Sequence, residues 1–305
     1  MAPRSPPGPP GGISAGRVAG TMAWNREQGQ NYLGVAGVVG FVVAVGERGK
    51  IIHFAGDLYE ARVMESPTTA HLNAVYVVSE RCAWAVGEQG AVLRWDGTVW
   101  ATVAMGAKDD ELFAVWACRE TDGRDSIWVG GRDTIMVYCT ATGAQGTLMR
   151  TDAILLGIWG SGPDDIWFLC KGRLVLHWNG TGCASYQLPG DEDDEYCAIG
   201  GSGPQDPIWV VGVGGIMACG DGEGWEVVES GTEATLLGIC VAGPDDVWVT
   251  TNGGQIRHYD GIGWTTAAFS PFGWLGSLCL VDGTTWSVGK SVVLQHRPED
   301  SRDDE

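Results

Sequence analysis

Charged and amide side chains recur at one point of a repeating pattern. Glu47 and Arg48, Glu88, Arg132 and Asp133, Lys171, Asn252 and Lys290 each fall in the short stretch that follows an apolar run. Side chains of these types can do two kinds of work. Carboxylates such as Glu47, Glu88 and Asp133 can serve as acid and base in a hydrolase or lyase when two of them reach one bond. Cations and amides arranged around a common opening bind a polar ligand instead. The chain has only 19 lysines and arginines, so basic residues at one repeat position in Arg48, Arg132, Lys171 and Lys290 suggest such an opening.

Other polar residues at repeated positions have more ordinary readings. His53, His177 and His258 occupy a second shared position, and His296 is adjacent to it. Equivalent positions in separate repeats lie much farther apart than the roughly 2 Å of a metal–ligand bond allows, so these histidines are expected to be satisfied polar residues on their own strands. The carboxylates Asp164, Asp165, Asp206, Asp245 and Asp246 sit beside prolines. A calcium ion wants about six to eight converging oxygens, so these aspartates are expected to cap turns. Nine cysteines are spread singly with no C-x-x-C pair and are expected to be small core residues in a reducing compartment. No P-loop, H-E-x-x-H, G-x-S-x-G or dinucleotide fingerprint is present. The pairs Gly214-Gly215 and Gly253-Gly254 are expected in turns, and no metal or cofactor is expected.

The elements that must position these residues form a repeat of four short strands. The first follows L-x-x-Φ-aromatic, as in Leu72…Val75-Tyr76, Leu112…Val115-Trp116 and Leu155…Ile158-Trp159, with Cys in the aromatic place in Leu236…Ile239-Cys240 and Leu275…Leu278-Cys279. The second opens on Trp84, Trp128, Trp167, Trp209, Trp248 and Trp286, with Val43 in the first copy. It ends at Gly46, Gly87, Gly131, Cys170, Gly212, Thr251 and Gly289, about 40 residues apart. A polar turn leads to the third strand, and Asp96-Gly97, Asn179-Gly180 and Asp260-Gly261 lead to the fourth. Asp-Gly and Asn-Gly are strong hairpin signals because both central residues must accept positive φ.

Four strands per repeat, without a helical stripe, predict an all-β fold: a seven-bladed β-propeller of four-stranded antiparallel blades. The last repeat lacks its fourth strand, and residues 17–25 have strand-like composition with no repeat of their own. That N-terminal strand is expected to complete the last blade and close the ring. The domain reading is a Pro/Gly-rich disordered tail over 1–16, one propeller over 17–297 and an acidic tail over 298–305.

The recurring L-x-x-Φ-W-G…P-D-D-Φ-W-x-x-G…D-G-x-x-W pattern resembles the tryptophan-rich propeller repeats of bacterial proteins. It is broadly similar to sialidase-like and photosystem-assembly-type propellers. The resemblance covers nearly the whole chain beyond residue 30. It implies a scaffold used for binding, as a lectin or in some members as an enzyme. Sialidase activity would imply an arginine triad, a tyrosine nucleophile and intact S-x-D-x-G-x-T-W boxes, whereas Val281–Trp286 echoes only one box.

The formal charge of −19 disfavours nucleic acid, whose phosphates it repels. The longest apolar run, near 32–45, is too short to span a bilayer and is broken by Gly34, Gly37 and Gly40. No secretory leader is recognisable, and a cytoplasmic monomer is expected. The functional expectation is a non-catalytic binding propeller whose mixed-charge axial mouth takes a small polar ligand, a glycan or a protein or peptide partner. The alternatives are a carbohydrate-active hydrolase or lyase using mouth carboxylates, and a lectin with sugar sites between blades.

Overall fold

The computed structural model describes residues 14–18, 22–26, 29–105, 110–120, 123, 125–132, 134–139, 144–150 and 153–297. Six antiparallel sheets of four strands follow one another. They run from Tyr32–Val38 to Arg62–Val63, Leu72–Ser79 to Trp100–Thr102, Leu112–Arg119 to Ala144–Arg150, Leu155–Gly162 to Cys183–Gln187, Tyr196–Gly200 to Trp225–Val227, and Leu236–Gly243 to Trp264–Phe269. A closing sheet of five strands draws on both chain ends, in the order Ser14–Val18, Met22–Arg26, Val292–His296, Thr284–Gly289, Leu275–Val281. The innermost strand of each sheet packs on that of the next. Leu275–Val281 packs on both Leu236–Gly243 and Tyr32–Val38, so the ring is complete.

The expectation of seven uniform four-stranded blades is corrected: six sheets have four strands, and the closing sheet has five. The stretch 17–25, expected as one strand, falls into two. Met22–Arg26 pairs with Val292–His296, and Ser14–Val18 pairs along its outer side. No helix among the described residues is long and apolar enough to cross a membrane.

The repeated tryptophans explain why the sheets pack radially. Each faces the aromatic position of the inner strand, as in Tyr76 opposite Trp84, Trp116 opposite Trp128 and Trp159 opposite Trp167. Their rings fill the wedges between sheets. Trp84 packs with Val115 and Ile127 of the next sheet, and Trp248 with Leu278 and Leu294. Trp286 meets Phe54 across the closure at 5.3 Å between centroids. Each ring buried in this way stabilises the fold by about 2–3 kcal/mol of transfer free energy.

Glycine at the end of the second strand has a steric cause. A Cβ on Gly87 would lie 1.9 Å from the His71 carbonyl oxygen, and one on Gly212 would lie 2.0 Å from that of Glu195. The next N–H reaches the same carbonyl: Glu88 donates to His71 at 2.9 Å and Val213 to Glu195 at 2.9 Å. Cys170 and Thr251 carry a Cβ at this point and are followed by the same bond, from Lys171 to Ile154 at 2.8 Å and from Asn252 to Thr235 at 2.9 Å. The third-to-fourth strand turns repeat as well. Asp96 Oδ1 accepts from the N–H groups of Thr98 and Val99, and Asn179, Asp221 and Asp260 do the same in their sheets. The Val99 N–H, helped by Thr98, draws the Asp96 carboxyl down to about 2.

Asp165 and Asp246 do something other than the turn capping expected of them. Asp165 Oδ1 accepts from Trp167 Nε1 at 2.9 Å and lies 2.8 Å from His177 Nε2. Asp246 repeats this with Trp248 at 2.7 Å and His258 at 2.9 Å. Each imidazole stacks on its tryptophan with centroids 3.9 Å apart. These two histidines are therefore satisfied on their strands, and they hold the indole that fills the wedge.

Candidate functional site

The inner strands enclose an axial channel of about 380 Å³, which continues at one end into a mouth of about 430 Å³. A local irregularity builds the mouth. In every described pairing of first and second strands, the register slips just after the first residue of the inner strand. The slips fall between Tyr32 and Gly34, Leu72 and Ala74, Leu112 and Ala114, Leu155 and Gly157, Tyr196 and Ala198, Leu236 and Gly238, and Leu275 and Leu278. The residue left without a partner is turned out of the ladder, as β-bulges commonly do. Leu33, Asn73, Phe113, Leu156, Cys197 and Leu237 are those residues, and all line the channel. In the closing sheet Gly276 takes the place, and the Trp274 ring fills the space a side chain would have used.

The mouth is therefore mainly apolar and half-buried. Asn73 is a polar exception, but its Nδ2 donates to the Leu112 carbonyl at 2.9 Å and locks the two inner strands together. Burial, and then the neighbouring Glu195 carboxylate, pushes the Cys197 thiol up, so it lines the mouth as a small neutral group and not as a nucleophile. Below the bulges, Gly34, Ala74, Gly157, Ala198 and Gly238 keep the channel walls close. A Cβ on Gly238 would lie 2.1 Å from the Gly276 carbonyl oxygen.

Of the polar residues singled out in the sequence, Lys171 lines this mouth and the others that are described do not. They form its outer rim, in contact with the segment that leads into an inner strand. Glu47 accepts from the Asn31 N–H at 3.2 Å and its Nδ2 at 2.8 Å. Glu88 lies 3.4 Å from His71 Nδ1, Arg132 pairs with Glu111 at 2.9 Å, and Lys171 pairs with Glu195 of the next sheet at 3.4 Å. Arg48 is exposed with φ 57°. Asn252 and Lys290 are exposed, and their N–H groups donate to Thr235 and Trp274. Asp133 lies outside the described residues. Exposed pairs of this kind contribute about 0–1 kcal/mol each.

The arrangement can grip an apolar group at the axis, within a rim whose charges are largely answered by neighbours. Glu47 and Glu88 stand on separate sheets and neither lines the channel, so the geometry does not bring those two carboxylates to one bond. The repeated tryptophans Trp84, Trp128, Trp167, Trp209, Trp248 and Trp286 are at most 5 % exposed, which leaves no open indole face at that position for a sugar. The bulged residues of the mouth and channel were missed by pattern reading. Their signal is a pair of adjacent apolar residues, Leu33 after Tyr32, Phe113 after Leu112, Leu156 after Leu155 and Leu237 after Leu236, where a regular strand would alternate.

A closed ring of radially packed four-stranded antiparallel sheets around an axial channel is a β-propeller. Neither a protein-family model nor a curated protein matches the sequence. Among solved structures, the chain is similar to YCF48 bound to D1 peptide (TM-score 0.74, 13% identity, covering 93% of this chain and 99% of that one). It is also similar to catalytically inactive virginiamycin B lyase from Staphylococcus aureus with quinupristin (TM-score 0.76, 15% identity, 94% and 99%) and to U3-55K (TM-score 0.76, 10% identity, 93% and 100%). At these identities the likeness is one of fold.

Proposed function

We propose that the chain is a non-catalytic binding propeller whose axial mouth takes an apolar side chain of a protein or peptide partner. The ring of bulged residues carries this reading. A bulge turns Leu33, Phe113 and Leu156 into the mouth, and Leu237 into the channel behind it, instead of the core, and apolar side chains held half-buried at a concave opening are what a partner can cover. The propeller in YCF48 was solved with a peptide, and the lyase with quinupristin, which agrees with a binding role for the fold. The rim residues Glu47, Arg48, Glu88, Arg132, Asp133, Lys171, Asn252 and Lys290 then set orientation and specificity around the apolar anchor. On this reading the closing sheet counts as the seventh blade, and residues 17–297 work as one unit, a cytoplasmic monomer.

Phe113→Asp and Leu156→Asp put carboxylates into the mouth at half-exposed positions. Peptides selected from a random phage-displayed library against the wild-type chain are expected to share an apolar residue and to lose at least tenfold in affinity for either variant. Selected peptides that bind both folded variants as tightly as wild type would overturn the proposal.

A further inference from the structure

We infer that the axial mouth and a groove beside it form one two-part site for an extended polypeptide, with an apolar side chain at the axis and a lysine or arginine in the groove. The inference rests on the mouth reading above and adds the partner's charge. The groove, about 670 Å³, runs over the sheet that begins at Tyr196 and is lined by Asp194, Val213, Val227, Val228, Glu229 and Glu233 among others. Among the described residues, no lysine or arginine lines it. Arg257 lies behind it, buried, with Nη1 donating to the Gly231 carbonyl at 3.1 Å.

Groove and mouth meet on neighbouring residues, because Asp194 lines the groove and Glu195 and Tyr196 line the mouth. The rim opens at the same place. Where other sheets put Glu47, Glu88, Arg132, Lys171, Asn252 or Lys290, this one has Val213, followed by Gly214 and Gly215. Val213 is 43% exposed and Val227 61%, large values for apolar side chains in a concave surface. Valines with carboxylates at their edges suit a lysine or arginine, whose stem packs on the apolar floor while its head reaches the acids. The acidic run Asp191–Glu195 and the net charge of −19 steer a cation toward this side of the ring.

The test uses the full chain and four fluorescein-labelled nonapeptides in a Gly-Ser background, with a central Phe or Gly and a flanking Lys-Lys or Glu-Glu pair, read by anisotropy. The Phe/Lys-Lys peptide is expected to bind tightest and to lose about tenfold when Glu-Glu replaces Lys-Lys. That advantage is expected to shrink between about 50 and about 300 mM salt. In the double variant Glu229→Lys with Glu233→Lys, both exposed positions, the flank preference is expected to reverse. Equal binding of both Phe peptides by wild type, or a lysine preference that survives in the folded double variant, overturns the inference and leaves the apolar mouth standing. No difference between the Phe and Gly peptides overturns the mouth reading and this inference with it. The wild-type comparisons decide the matter even if the double variant does not fold.

Discussion

Replacing Gly87 by alanine isolates the contact on which the rim is built. The added Cβ would start 1.9 Å from the His71 carbonyl oxygen and 2.8 Å from the Leu72 Cα. Restoring a contact of about 3 Å moves the second strand away from the inner strand by about 1 Å, enough to break the 2.9 Å hydrogen bond from Glu88 to His71. The lost bond is worth about 1 kcal/mol and the strain of overpacking about 1–3 kcal/mol. The sum is about 2–4 kcal/mol, or about 3–7 °C in Tm for a domain of this size. Urea and thermal melts followed by circular dichroism measure it. Gly182→Ala is the control, since its Cβ meets nothing within 4 Å and its φ is not positive. It is expected to be neutral or slightly stabilising. A Gly87→Ala chain that melts with wild type would refute the steric account of the repeated glycine.

Acid is expected to destabilise the fold through His53 and His296. Burial lowers both below the ordinary 6.5, with Arg62 adding to the effect at His53 and His258 at His296. The unfolded chain therefore takes up more protons as pH falls below about 6.5, so stability drops with falling pH from there until the folded-state values are passed. Urea midpoints at pH 7.5, about 6 and about 5 measure the slope, and His296→Gln should flatten it. Deleting residues 1–26 removes the five residue pairs between Met22–Arg26 and Val292–His296. A loss of about 2–5 kcal/mol is expected, recovered in part by adding the 14–26 peptide in trans. No change in the melt would mean that this strand does not hold the ring. Native alkylation near pH 8 should mark the exposed Cys183 before the buried Cys82 and Cys170, whose thiols burial pushes up to about 11 and about 12. Peptide mapping gives the order, and early labelling of Cys170 would contradict the burial described.

The scaffold was legible because its punctuation is chemical. Asp96-Gly97 and Asn179-Gly180 require positive φ at the glycine, and a tryptophan at one strand position marks a wedge that needs a large ring. The mouth was less legible. Phe113 and Leu156 look like core residues in sequence, and only the slipped register turns them toward the axis. Arg132 meets Glu111 through the strand pairing of one sheet and Lys171 meets Glu195 through the packing of two, and both pairings turn apparently free charges into an answered rim. The five-stranded closing sheet escaped pattern reading for a related reason. Its two N-terminal strands repeat nothing else in the chain.

The pairing of Ala23 with Gln295 also sets a timetable. At about 5–20 residues per second a ribosome needs roughly 15–60 s to make a chain this long, and through nearly all of that time Met22–Arg26 has Ser14–Val18 on its outer side but no strand on its inner edge. An open strand edge waiting so long invites pairing with the wrong neighbour. Contacts this distant in sequence also slow the final step after release. Refolding should therefore show a late, slow phase, seen in the fluorescence of Trp286 as the two ends meet.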